Sequence, residues 1–442
     1  MINILFIAYE FPPLNEGGSN RPLNFVNNLR VNGINPIVIT PEIDNNENID
    51  YTLLEQLDKN IEVIRVPKEN DIFLEKFFSK NYINIQDTVS KKWEKHLLPV
   101  LERLTKEVDF QAMYVTAPPF SMANLGVEIS KKFNLPLILD MRDHWSHWNI
   151  TPFTSYLHYQ LILRKEREWF THVHAVLAVT EQMVEDFKNI HPHVDSSKFH
   201  TVRNSYAKYI KIQNDSLLLR KPTKENPLKI GYVGSFYYHP YQRDLIFNPW
   251  WKKKLYQWLQ YTPRKEDWLY RSPYFFFKTL QQFIKLYPDL SELIKVEFIG
   301  AKPDWLIDMV KEFELENHVL LKGFLPHAES ITFQQSCDAL LGTSMKVING
   351  RDYCIAGKSY EYIAQQKPIL AFMTEGSQKD FFEASGISLI FDADDTEKNV
   401  ELLKSFVLDE IDFTVNKEFI AQISTKETTR KLANIIKEVI EI

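Results

Sequence analysis

The chain has 442 residues, more than one ordinary core holds, so two domains are expected. A formal charge of −6 gives no general case for nucleic-acid binding, and the two cysteines, Cys337 and Cys354, are too few for a disulfide framework and fit a reducing compartment. No apolar run approaches the ~20 residues of a membrane span, and the first one meets Glu10 too early for a signal peptide, so a cytoplasmic location is the expectation.

In chain order, Asn3 to Ala8 is a continuous apolar run, the pattern of a strand buried on both faces. A loop rich in Pro and Gly runs from Phe11 to Ser19. Leu23, Phe25, Val26 and Leu29 then mark a helix ending near Gly33, and Pro36 to Thr40 is the next strand. Strand, helix and strand make one βαβ unit. Further strands are expected at 61–66, 112–115, 137–140 and 175–179, with helices near 89–106, 120–132, 154–170 and 181–188. The polar, charged stretch 206–226 reads as a linker. After it the scheme restarts at Leu228 to Ser235 and continues with strands at 295–299, 319–322, 339–342, 369–372 and 388–391. Two successive βα series predict two doubly wound, Rossmann-like α/β domains, residues 1–205 and 227–416, facing each other across a cleft. A final helix, about 417–442, is expected to pack back on the first domain.

One segment breaks the second series. About 35 residues separate Gly234-Ser235 from the helix near Pro273, where roughly 2–6 are usual. This insertion, about 238–272, carries Trp250-Trp251-Lys252-Lys253-Lys254-Leu255-Tyr256, Trp258, Arg264, Lys265 and Trp268. Aromatic rings interleaved with lysines suit a membrane interface or a pyrophosphate-lipid acceptor, so contact through 240–270 would put the chain at the cytoplasmic face of a membrane. A packed structural lid or an oligomer contact is the plainer alternative.

The candidate chemistry lies at strand ends. Gly17-Gly18-Ser19, between a strand and a helix, permits backbone approach to a phosphate, or is a tight turn with Ser19 or Asn20 as N-cap. Asp140-Met141-Arg142-Asp143-His144 follows a buried strand: Arg142 between two acids is either a structural ion pair or part of a site in which Asp143 or His144 receives a substrate hydroxyl, His147 being weaker. Gly234-Ser235 mirrors the first glycine loop, and Arg271, just before Ser272-Pro273, faces the same sheet end. Gly357 and Lys358 open a helix, where unpaired N–H groups and the dipole favour an anion, and Glu361 stands one turn on to accept two neighbouring hydroxyls. A helix with a surface Lys and Glu has the same spacing. No metal-ligand spacing and no Gly-x-Ser-x-Gly elbow occurs.

Taken together, Phe11-Pro12-Pro13-Leu14-x-x-Gly17-Gly18-Ser19, Ala117-Pro118-Pro119-Phe120, Asp140-Met141-Arg142-Asp143-His144-Trp145 and Gly357-Lys358-Ser359-Tyr360-Glu361-Tyr362 resemble the retaining GT-B glycosyltransferases, specifically glycosyltransferase family four. The resemblance covers nearly the whole chain. It implies transfer of a hexose from a nucleotide-diphosphate sugar to a glycan or lipid-linked glycan, with retention and without a metal or other cofactor. Glu361 would take the donor ribose, while Gly17, Gly18, Gly234, Ser235, Arg271 and Lys358 would face the diphosphate, with Arg243 and Lys265 as rivals to Arg271. The nucleobase would rest on Gly323-Phe324-Leu325-Pro326. Asp143, Arg142 and Lys358 would serve the reaction, and Asp140 and His144 would lie toward the acceptor. The family usually has a second carboxylate eight positions before Glu361; here Tyr353 stands there. Two other readings fit the same fold: a sugar-nucleotide epimerase, and a non-catalytic nucleotide-sugar or glycan binder.

Overall fold

A computed structural model describes residues 1–44, 47–69, 89–147, 152–206, 216–217 and 219–441. The N-terminal half is β1 (Ile2–Ile7), α1 (Asn20–Leu29), β2 (Ile34–Pro41), β3 (Glu62–Val66), α2 (Val89–Glu107), β4 (Ala112–Ala117), α3 (Ser121–Phe133), β5 (Leu137–Met141), α4 (Tyr156–His172), β6 (Ala175–Ala178), α5 (Glu181–Ile190) and β7 (Phe199–Thr201). Its seven strands are ordered β3-β2-β1-β4-β5-β6-β7 and all pair in parallel. Ile4, Leu5, Phe6 and Ile7 are completely buried, as a strand covered by helices on both faces requires.

The second half contains β8 (Leu228–Val233), α6 (Pro240–Phe247), α7 (Tyr274–Leu286), β9 (Ile294–Ile299), α8 (Asp304–Glu312), β10 (Val319–Gly323), α9 (His327–Ser336), β11 (Ala339–Thr343), α10 (Gly357–Ala364), β12 (Ile369–Met373), α11 (Ser377–Ser385), β13 (Ser388–Asp392) and α12 (Thr396–Val407). Its sheet runs β10-β9-β8-β11-β12-β13, again parallel throughout. In each sheet the order reverses beside the first strand, between β1 and β4 and between β8 and β11. Those are the switch points at which doubly wound sheets open a crevice outside their strand ends. They fix where each lobe offers a ligand site.

α13 (Lys417–Gln422) leads into α14 (Thr425–Glu441), which returns to the first lobe. There Leu432, Ile436 and Val439 share a core with Phe25, Val26 and Leu29 of α1. Part of the expected linker, 207–215 and 218, lies outside the described residues; Ser216–Leu217 pairs antiparallel with Phe413–Thr414.

The insertion is not a plain loop. It opens with α6, and Glu266–Asp267 pairs antiparallel with Lys346–Val347. It also reaches the first lobe: the Phe153 and Tyr261 amides each donate to the other's carbonyl at 2.9 Å. Arg264 Nη1 lies 2.9 Å from Asp186 Oδ2 on α5, with Nη2 2.8 Å from Glu266 Oε1.

Candidate active site

α10 is the centre of the site. Its first amides have no acceptor within the helix, and Ala356 before it supplies no side-chain cap. That end of the helix therefore carries partial positive charge toward the space in front of β8 and β11. Tyr232, Tyr237, Arg271, Thr343, Lys358 and Ser359 are among the residues lining this space. Lys358 Nζ donates to Tyr232 Oη at 2.5 Å, and Tyr232 Oη donates to the Ser235 carbonyl at 3.1 Å. Gly234 has φ +102°, and a Cβ there would stand 3.1 Å from Lys358 Nζ. The turn after β8 thus needs glycine both for its backbone and for the lysine that crosses it.

Arg271 comes to the same space from the far end of the insertion. Its carbonyl accepts from Thr343 Oγ1 at 2.9 Å, and its Nη1 donates to Cys354 Sγ at 3.4 Å. Two cations thus share one pocket. Burial, then repulsion by Arg271, pulls the Lys358 pKa down to about 7, against the attraction of Glu361. Burial also acts to lower the Arg271 value, but Cys354 and Asp352 more than reverse it, so the guanidinium stays charged. Asp352 sits behind Arg271, 1% exposed, with Oδ1 accepting from the Cys354 amide at 2.8 Å; burial pushes its carboxyl up to about 7.

Glu361, on the next turn of α10, accepts from Gln334 Nε2 of α9 at 3.3 Å. Its carboxylate therefore faces α9, the helix that follows Gly323-Phe324-Leu325-Pro326. Phe324 is exposed on that loop, while Leu325 packs against the core that includes Tyr360 and Tyr362.

Across from this pocket stand the ends of β1, β4 and β5. Asp143 is part-buried and feels Arg271 of the other lobe as well as Arg142; burial is the stronger influence and raises its pKa. Gly17 is open, with nothing within 4 Å of a Cβ placed on it. Gly18 is different: a Cβ there would fall on Arg142 Nη1 and Glu10 Oε2, so its hydrogen makes room for that ion pair rather than for a ligand.

Three expected site residues are reassigned. Arg142 is held by Glu10 at 2.8 Å and by the Pro118 carbonyl, so its charge shapes the cleft floor. Asp140 is 0% exposed and enclosed by Arg21, Tyr114 and Thr116, where no acceptor reaches it. His144 is equally sealed, edge-on to Tyr353 at 4.5 Å. Arg243, a rival to Arg271, is bound to Asp267 at 2.8 and 2.9 Å.

Tyr353 itself belongs to the contact between lobes. Its carbonyl accepts from Thr180 Oγ1 at 2.7 Å, and the Arg264 guanidinium lies 5.2 Å from its ring. Among the described residues, His144, His147 and Asp186 bring ligand atoms within 4.8 Å of one another, but Arg264 already supplies positive charge to that carboxylate. Asp352 and Tyr232 were not singled out from the sequence, and Arg264 was named only as one of the insertion's basic residues. The only signal was a polar residue near a strand end for Tyr232 and an acid beside Tyr353 for Asp352.

Residues 265–424 match the family model described as "Glycosyl transferases group 1". The matched segment holds Arg271, Lys358 and Glu361. The lipopolysaccharide outer core galactosyltransferase WaaB, in its apo form, is similar in structure with a TM-score of 0.57 at 12% identity, covering 99% of each chain. Sucrose-phosphate synthase from Thermosynechococcus elongatus gives a TM-score of 0.57 at 11% identity, covering 100% of this chain and 97% of that one. Anabaena HepE in complex with UDP-glucose gives 0.52 at 14% identity, covering 100% and 99%. None of the curated proteins matches. At such identities structural likeness speaks for the fold, which is GT-B, two Rossmann-like α/β domains. With the family match, it supports a glycosyltransferase.

Proposed function

We propose that the chain transfers a hexose from a nucleotide-diphosphate sugar to a glycan or lipid-linked glycan, retaining the anomeric configuration in the manner of glycosyltransferase family four. One observation carries the reading: Lys358, Arg271 and the N-terminus of α10 converge on one pocket at a topological switch point, with Glu361 a turn away. A departing nucleotide diphosphate gathers negative charge in the transition state, and fixed cations and helix amides stabilise that charge. Glu361 accepts the ribose hydroxyls, and the exposed Phe324 offers a face to the base. In a front-face displacement the leaving phosphate oxygen takes the acceptor's proton, so Asp143 orients the acceptor hydroxyl. No metal or other cofactor is called for in this scheme.

Donor binding tests it. Nucleotide-diphosphate sugars should raise the melting temperature, since ligand binding to the folded state stabilises it. Glu361→Ala should weaken calorimetric donor affinity about 10- to 100-fold, the range for hydrogen bonds to a charged group. Unchanged affinity would remove Glu361 from the site. Conversion of a nucleotide sugar to its epimer without acceptor would replace transfer with epimerisation, and donor binding without turnover on any acceptor would leave a binder.

The insertion supports a place at the cytoplasmic face of a membrane. Trp251, Leu255, Tyr256 and Leu259 are 66, 76, 71 and 76% exposed, next to exposed Lys252 and Lys254. Rings that sit at headgroup depth beside cations suit an anionic bilayer. No described helix is long and apolar enough to cross one. Reversing Lys252, Lys253 and Lys254 to Glu should cut vesicle binding by at least about 100-fold, at about 1 kcal/mol per lysine near the surface. Equal flotation of the variant and parent with phosphatidylserine vesicles would discard the membrane contact.

A further inference from the structure

The insertion builds a second cavity beside the diphosphate pocket. Phe236, Tyr237, Tyr238, Gln242, Ile246 and Trp268 line most of it, and its volume is about 220 Å³. Tyr237 belongs to both spaces. Arg271 stands at the junction, its guanidinium carbon 5.4 Å from the Tyr237 ring and 5.4 Å from the Trp268 ring. The cavity therefore begins one guanidinium away from where the diphosphate would lie.

Its electrostatics differ from those of its neighbour. Arg243 is the cation in its wall, and Asp267 cancels that charge through two short hydrogen bonds. Arg243 therefore keeps no surplus positive charge with which to hold a phosphate. What remains is a set of aromatic rings, the Gln242 amide and the His239 imidazole. Ring faces cover the C–H side of a pyranose, and the amide and imidazole meet its hydroxyls, the mix of apolar walls and a few placed polar groups that small-molecule sites use. A cavity of this size holds several waters or a single sugar ring.

We propose that this cavity is a saccharide subsite, seating one neutral sugar ring of a substrate next to the diphosphate pocket. The inference rests on the glycosyltransferase reading and adds to it the place of a sugar ring, built by the chain's own insertion. The ring belongs either to the acceptor or to the donor hexose. Its chemistry is the same in both cases, and the two sources separate experimentally.

The full chain and two variants suffice. Ile246→Trp fills the cavity from α6, and Gln242→Ala removes one polar contact without adding bulk; unchanged thermal melting would show that each is folded. Saturation-transfer NMR with the methyl glycosides of glucose, galactose, mannose, N-acetylglucosamine and rhamnose reads direct binding. Calorimetry with UDP, GDP, UDP-glucose, UDP-galactose, UDP-N-acetylglucosamine and GDP-mannose reads donor binding. For an acceptor ring, at least one methyl glycoside gives a signal on the parent that drops fivefold or more in the folded variants, with nucleotide-sugar affinity within twofold. For a donor ring, the variants keep the parent's affinity for free nucleotide and lose fivefold or more of the extra affinity for the nucleotide sugar. Methyl glycosides silent on the parent, with nucleotide-sugar affinity unaltered in the folded variants, would overturn the subsite. Should Ile246→Trp not fold, Gln242→Ala alone decides. Failure of the parent to bind any of the nucleotides or nucleotide sugars is a different result, and it ends the glycosyltransferase reading itself.

Discussion

Lys358→Ala is expected to weaken binding of a nucleotide-diphosphate sugar about 10- to 100-fold, the range for losing a charge-assisted hydrogen bond. The loss should also carry a pH signature. In the free protein the ammonium has a pKa of about 7, because burial and Arg271 both disfavour its charge. A bound diphosphate favours that charge, so the pKa rises on binding and a proton is taken up. Below about pH 7 the lysine is charged in both states, and affinity is at its full value. As pH climbs from about 7 toward the bound-state pKa, affinity falls, by up to tenfold per unit. Calorimetry at pH 7 in two buffers of different ionisation enthalpy should read an uptake larger in the parent than in Lys358→Ala by about half a proton, following from a free lysine pKa near 7. In Lys358→Ala the lysine's share of the uptake and of the slope should vanish, leaving only what Asp352, whose carboxyl is also near 7, contributes. A parent affinity flat from pH 6 to pH 9 would show that Lys358 does not meet the phosphates.

The second large effect is on stability. Arg21→Met should cost about 3–5 kcal/mol, because it leaves the Asp140 carboxylate buried without its counter-charge. Arg21 Nε and Nη2 each donate to Asp140 at 2.8 Å, and Tyr114 Oη adds a third bond at 2.5 Å. Arg21 Nη1 also donates to the Arg203 carbonyl at 3.0 Å, tying α1 to the end of the first lobe. The exposed pair Arg164–Glu168 on α4 is the contrast: Arg164→Ala should cost about 0.5 kcal/mol or less. Urea titrations of both variants make the comparison. A loss below about 1 kcal/mol in Arg21→Met would mean that the carboxylate escapes its cost by taking a proton or a water.

These residues also mark what could be read without coordinates. The strands were legible because a run such as Leu137 to Leu139 is apolar at every position, which only a sheet covered on both faces demands. The placing of Lys358 and Glu361 on successive turns at the start of one helix was legible because a glycine, a lysine and a carboxylate there fall within a single local element. Asp140 was not. An acid at the end of a buried strand serves a ligand or an ion pair equally well, and the decision lies with Arg21, 119 positions away. His144 was misplaced for the same reason, since the ring that seals it, Tyr353, comes from the other lobe. The insertion's length announced that it was special, but its folding into α6 and a two-residue ladder depended on partners at 346–347 and 153. Periodicity reports that a residue is buried and stays silent about what it is buried against.

The contacts made by Tyr261 and Arg264 bear on how the molecule comes apart. Each half has its own sheet, yet the chain returns from the second to the first with α14, and the two are pinned again through Phe153 and Asp186. An excised fragment covering 227–416 would lose Asp186 from Arg264 and Phe153 from Tyr261 together, leaving Glu266 as the remaining carboxylate on Arg264; the bared backbone and the freed guanidinium nitrogen would then need water or a neighbouring molecule. Melting of the intact chain should accordingly be a single concerted event in calorimetry, with the halves recovering structure when co-expressed as two polypeptides and aggregating when made apart.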